Sequence, residues 1–107
     1  MEISVNEEVF DECQDEMLHY LVKSVRALLV EKGVEEQLIY DVTGDMVFEI
    51  GAILDGSAVM GSEDKPVLPY LTFSKNENER ESLIASASGS CLHEMAYGFV
   101  DNIFEEK

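Results

Sequence analysis

Along the first third of the chain, Val9, Phe10, Cys13, Met17, Leu21, Val25 and Leu28 recur at steps of three and four. That spacing lines one side of a 3.6-residue helix and predicts a long helix over residues 7–32. Asn6 is its expected N-cap and Gly33 its left-handed stop. The stripe rotates along the helix, because Leu18, Leu21, Val22, Val25 and Leu29 gather about a quarter-turn from the first group. Either the helix wraps between a sheet and a second helix, or its first half packs on another subunit, as in a homodimer.

The apolar residues that follow are shorter runs broken by turn signals. Residues 34–42 read either as a short helix or as an extended lead-in. Thr43-Gly44-Asp45 is a turn signal. Residues 46–54 (MVFEIGAIL) alternate Phe48, Ile50, Ala52 and Leu54 with Val47, Glu49, Gly51 and Ile53, which predicts a strand. Gly51 within it marks a bulge or a close backbone approach. Loops are expected at 55–57, 61–66 and 74–80, and strands at 67–73 and 82–88, the former an edge strand because of Pro69. A closing helix over 91–106 carries Leu92, Met95, Ala96, Phe99 and Ile103 on one stripe, with His93, Tyr97, Val100 and Phe104 along its flank.

These elements predict a single α+β domain over residues 1–107. It has a long N-terminal helix, a small, mostly antiparallel sheet of three to four strands, and a C-terminal helix on the same face of that sheet. The expected core is Phe10, Met17, Leu21, Val25, Leu28, Phe48, Ile50, Leu54, Leu71, Phe73, Leu92, Met95, Phe99 and Ile103. At 107 residues and 46% apolar composition the chain can bury such a core unaided.

Charge changes the picture more than composition does. Twenty-three acids against seven bases give −16, which opposes nucleic acid and anionic membranes and favours a basic protein surface as partner. Glu7, Glu8, Asp11, Glu12, Asp15 and Glu16 lie ahead of the first base, Lys23. The first-turn acids have a structural reason, since a helix N-terminus favours negative charge by ~0.3–1 kcal/mol each. Asp15 and Glu16 lie beyond that field, and like charges four apart cost a few tenths of a kcal/mol per pair. Solvation of the surface is the competing reason for the whole run. Over Glu7 to Glu16 the six acids occupy ~14 Å of helix, where a nucleic-acid duplex presents ~8 charges, a density compatible with mimicry.

No reaction is specified by motif. The HEMAY run at His93 to Tyr97 begins like a zinc-protease pattern but has Tyr97 where a second histidine would be needed. Two histidines and two cysteines lack ligand spacing, so no metal and no cofactor are expected. Cys91, at a helix start with His93 two residues on, is the single thiol of interest. Positions two apart on a helix diverge by ~200°, so His93 is poorly placed as its base. Cys91, His93, Tyr97 and Phe104 are therefore a possible interface or pocket. The acidic start has no signal-peptide pattern and no run reaches the ~20 residues of a membrane span, which leads to an expected cytoplasmic location. Three function classes stay open: an acidic protein-binding module of inhibitor, immunity, adaptor or chaperone type; a ligand-binding or enzyme domain with a pocket near Cys91 and His93; and a structural dimerising subunit.

Overall fold

The computed structural model describes residues 2–58, 60–75 and 82–105. Its elements in order are β1 (Glu2–Val5), α1 (Glu7–Glu31), α2 (Glu36–Leu54), β2 (Met60–Gly61), β3 (Pro66–Val67), β4 (Ser82–Ala85) and α3 (Leu92–Glu105). The architecture is mixed helix and strand: three helices with two small sheets.

Helix α1 begins and ends where its local chemistry dictates. The Asn6 side chain accepts a hydrogen bond from the Val9 N–H at 3.1 Å, satisfying one orphan donor of the first turn. At the other end Gly33 adopts φ +75°. Its N–H donates to Val30 O at 3.1 Å and that of Val34 to Leu29 O at 3.0 Å, the paired bonds of a Schellman stop. Helix α2 stops the same way at Gly56 (φ +77°), with Gly56 N–H to Ile53 O at 3.2 Å and Ser57 N–H to Ala52 O at 2.9 Å.

The expected strand over 46–54 and the expected turn at 43–45 are both overturned, because α2 runs through them without a break. Its buried face is Ile39, Thr43, Gly44, Val47 and Gly51, a period of three to four built largely from small and β-branched side chains. Small residues allow close approach: a Cβ on Gly51 would meet the His93 backbone N at 2.8 Å, and one on Gly44 would meet the Tyr97 ring at 3.0 Å. The expected sheet is likewise replaced by two two-stranded pieces. β1 pairs with β4 in parallel, from Glu2↔Ser82 to Val5↔Ala85, and β2 pairs with β3 antiparallel. Of the expected strand over 67–73, Val67 lies in β3 and Phe73 makes one antiparallel bridge to Ile84. Residues 76–80 of the expected 74–80 loop fall outside the described residues.

The core is therefore helical. Leu18, Val22 and Val25 of α1, Val47 of α2, and Leu92, Ala96, Val100 and Ile103 of α3 form one buried cluster. Met17, Leu21, Phe48, Leu54, Leu71, Met95, Phe99 and Phe104 are half-buried against it. Leu28, expected inside, is 55% exposed. Along the rotated α1 stripe, Phe10 packs on Phe73, ring centroids 5.2 Å apart, while Leu18, Val22 and Val25 join the cluster with α2 and α3. The buried hydroxyl of Thr43 has no hydrogen-bond partner among the described residues.

The two α2 glycines should respond differently to alanine. Gly51→Ala drives a methyl into backbone and should cost about 1–3 kcal/mol. Gly44→Ala meets only the movable ring of half-exposed Tyr97, and about 0.8–1 kcal/mol of helix propensity offsets the crowding. Urea unfolding of the two variants checks this; equal losses would refute the close approach at Gly51.

Candidate functional site

Of the flank residues singled out on α3, His93, Tyr97 and Phe104 each find a partner on α2. The His93 ring packs edge-on against Phe48 at 5.7 Å. Tyr97 stacks on Phe48 at 5.5 Å and its hydroxyl donates to Asp45 at 2.9 Å. Phe104 meets Tyr40 edge-on at 5.4 Å, and the Tyr40 hydroxyl in turn donates to Asp101. Each helix thus sends a tyrosine to an aspartate of the other. Both phenols are raised above their ordinary pKa, first by those hydrogen bonds. This row is an intramolecular seam along most of its length.

At its upper end the N-terminus of α3 is capped by side chains from both other helices. Asp55, the C-cap of α2, accepts from the His93 backbone N–H at 2.8 Å, from the Ser90 hydroxyl at 2.5 Å and from the His93 ring Nδ1 at 2.5 Å. Its side chain is 1% exposed. Burial alone pushes this carboxyl up, but the donors from Ser90, His93 and the Leu92 backbone together outweigh it and hold the pKa below the usual carboxylate value. From α1, Gln14 accepts the Cys91 N–H at 2.7 Å and donates to the Cys91 sulfur at 3.5 Å. Burial raises the Cys91 thiol above its ordinary pKa, so at neutral pH the sulfur is protonated and a weak nucleophile. His93 and Cys91 are held by different partners, and neither lines any cavity described below. At that end Asp55 and Gln14 form a packed cap on the start of α3.

The acidic run divides in two. Glu7 is withdrawn from it: its carboxylate accepts from Ser86 Oγ at 2.6 Å and from the Ala87 N–H at 2.8 Å, which lowers its pKa and ties the start of α1 to the end of β4. Glu8, Asp11, Glu12, Asp15 and Glu16 are exposed, and none makes an ion pair among the described residues. They cover roughly 140° of the helix circumference and roughly 12 Å of its length.

The third feature is a cavity of about 520 Å³ at the opposite end of the bundle, lined by Arg26, Val30, Val34, Glu36, Ile39, Tyr40 and Phe104. The Arg26 guanidinium sits 4.6 Å above the Phe104 ring, a cation–π contact. Of the predicted interface or pocket residues, Phe104 lines this cavity. Arg26 and Tyr40 were missed, and the only sequence signal for either was the rarity of bases.

Among the described residues, no group of three or more His, Cys, Asp or Glu is placed to hold a metal ion, and no helix is long and apolar enough to cross a membrane. No protein-family model, curated protein or solved structure matches this chain.

Asp55→Asn should destabilise the fold at pH 7 by about 1.5–3 kcal/mol, because the amide NH₂ would confront a donor. The sign with pH follows from the lowered pKa. The carboxylate's contribution is fully present above the unfolded value of about 4, and is lost as pH falls through the lower folded value. The stability difference between parent and variant, measured by denaturant unfolding, should hold from pH 7 to 5 and shrink below pH 4. A difference that grows on acidification would contradict the assignment.

Proposed function

We propose that this chain is a small, non-enzymatic protein-binding module that docks a basic partner through the outer face of α1. The observation that carries the reading is that Glu8, Asp11, Glu12, Asp15 and Glu16 are all exposed and make no ion pair among the described residues. Five carboxylates on one rigid 25-residue helix keep their mutual repulsion in the free protein, and a cationic surface relieves it. Glu7 belongs to the scaffold rather than to this face. The spacing is compatible with a surface that imitates a nucleic-acid backbone, with an inhibitor or immunity role as the functional consequence. Unpaired Cys13 and Cys91 suit a reducing compartment such as the cytoplasm.

Proteins captured by the parent from source lysate should be lost when salt rises from about 0.1 M to about 0.5 M, which shortens screening from ~10 Å to ~4 Å. The variant carrying E8Q, D11N, E12Q, D15N and E16Q should lose the same basic protein at low salt. Retention of that protein by the variant would remove the acidic face from consideration.

A second reading, a homodimer, is favoured by one observation: Tyr20 is 76% exposed, with Leu28 and Val30 also exposed on α1. An apolar contact of this kind persists or tightens in salt. Sedimentation at about 0.1 M and 1 M salt should then show a dimer that Tyr20→Ser together with Leu28→Ser converts to monomer. A monomeric parent at all concentrations would dispose of it.

A further inference from the structure

The cavity at the α1–α2 corner differs in chemistry from the rest of this acidic molecule. Its walls are Val30, Val34, Ile39, Tyr40 and Phe104, and its volume lies within the ~300–1,000 Å³ of small-molecule sites. The cation at its edge, Arg26, is anchored by the Phe104 ring. Arg26 makes no hydrogen bond or ion pair among the described residues, although the chain carries 23 acids. Asp101, one turn before Phe104 on α3, is already engaged by the Tyr40 hydroxyl. The guanidinium fork is held by its face on the ring, with no hydrogen-bond partner for its donors among the described residues.

A second feature of the same wall points to the same charge. Glu36, Ile39 and Tyr40 of the lining belong to the first turns of α2, a 19-residue helix with no side-chain cap at its start. The N–H groups of Glu36 and Gln37 donate to nothing among the described residues. Orphan donors at a helix start carry partial positive charge and accept a carboxylate. Glu36 stands on the same rim, exposed and unpaired with Arg26. Its charge disfavours a dianion and leaves room for a single negative group.

We propose that this cavity binds a small amphipathic monocarboxylate: an aromatic or branched apolar body among Val30, Val34, Ile39, Tyr40 and Phe104, with its carboxylate on Arg26 beside the α2 N-terminus. Arginine suits the role because its planar fork meets both carboxylate oxygens at once. The site is separate from the acidic docking face, roughly 15 Å along α1 between Glu16 and Arg26, so the result for either leaves the other standing.

The test is a heteronuclear NMR titration of the parent protein with 4-phenylbutyrate, its neutral amide and 4-phenylbutylamine. The acid should give saturable shifts at Val30, Val34, Ile39 and Phe104, and should bind at least about tenfold more tightly than the amide or the amine. Arg26→Gln should abolish that preference while the spectrum stays dispersed, and Arg26→Lys should keep part of it. Equal binding of acid and amine to the parent overturns the proposal without any variant. So does the lack of saturable shifts at these residues up to about 10 mM, weaker than any useful affinity, or an unchanged preference in a folded Arg26→Gln protein.

Discussion

The arrangement of this molecule depends on how the start of α3 is seated against the end of α2. Gly51 leaves the space into which the His93 backbone fits, at a separation a side chain would not permit. One turn later Asp55 turns its carboxylate onto the same backbone and onto Ser90. An α-helix start exposes donors that must be satisfied when it is buried. Here no residue of α3 itself does it: α2 supplies Asp55 and α1 supplies Gln14. The cap is thus also the joint of the three helices, and it explains why a nearly buried carboxylate and a buried glutamine sit beside an otherwise apolar core. Histidine, serine and cysteine gathered at one point would invite a catalytic reading. Here Ser90 and the His93 Nδ1 bond Asp55, and Cys91 bonds Gln14.

With that end closed, the α2–α3 pair is zipped by alternating contacts toward the other end: Phe48 with His93 and Tyr97, then Tyr40 with Phe104. The helices close tightly where α2 presents glycine and carry larger side chains where it presents Tyr40. The wider end is where the cavity lies, with Arg26 of α1 leaning over it.

The parts of this fold that were legible in the sequence are those set by local chemistry. Asn6 and Gly33 delimit α1 because capping and left-handed φ are properties of a few consecutive residues. Helix α2 was misread for an equally local reason. Over nine residues, Phe48, Ile50, Ala52 and Leu54 alternate as a strand would, whereas the helical repeat Ile39–Thr43–Val47–Gly51 emerges only over a longer span. Half of that repeat is threonine and glycine, which apolar periodicity does not count. Gly44 and Gly51 look like turn or bulge signals until α3 is placed against them. The withdrawal of Glu7 from the acidic run needs a partner 79 residues away, and the pairing of Tyr40 with Asp101 needs one 61 residues away. No spacing rule reports such distances.

Charge along α1 follows the helix dipole, with acids through its first half and Lys23 and Arg26 in its second. The dipole accounts for the acids of the first turn, but the last turn carries no base and ends on Glu31, and the stabilising reach of the dipole is the first and last turn. Asp11 to Glu16 and Arg26 all lie outside that reach. Among the described residues none of these charges is paired: the carboxylates are exposed on the helix surface, and the guanidinium rests on a ring at the edge of a hollow. A convex array of like charges offers long-range attraction and little shape, which suits a large cationic surface. A single fixed fork above an apolar hollow offers shape and little reach, which suits a small anion. The same −16 chain repels such an anion at a distance, so the attraction that offsets this repulsion has to come locally, from Arg26 and the apolar walls. That contrast between general repulsion and local complementarity would make the corner site selective for molecules whose apolar body can carry them in.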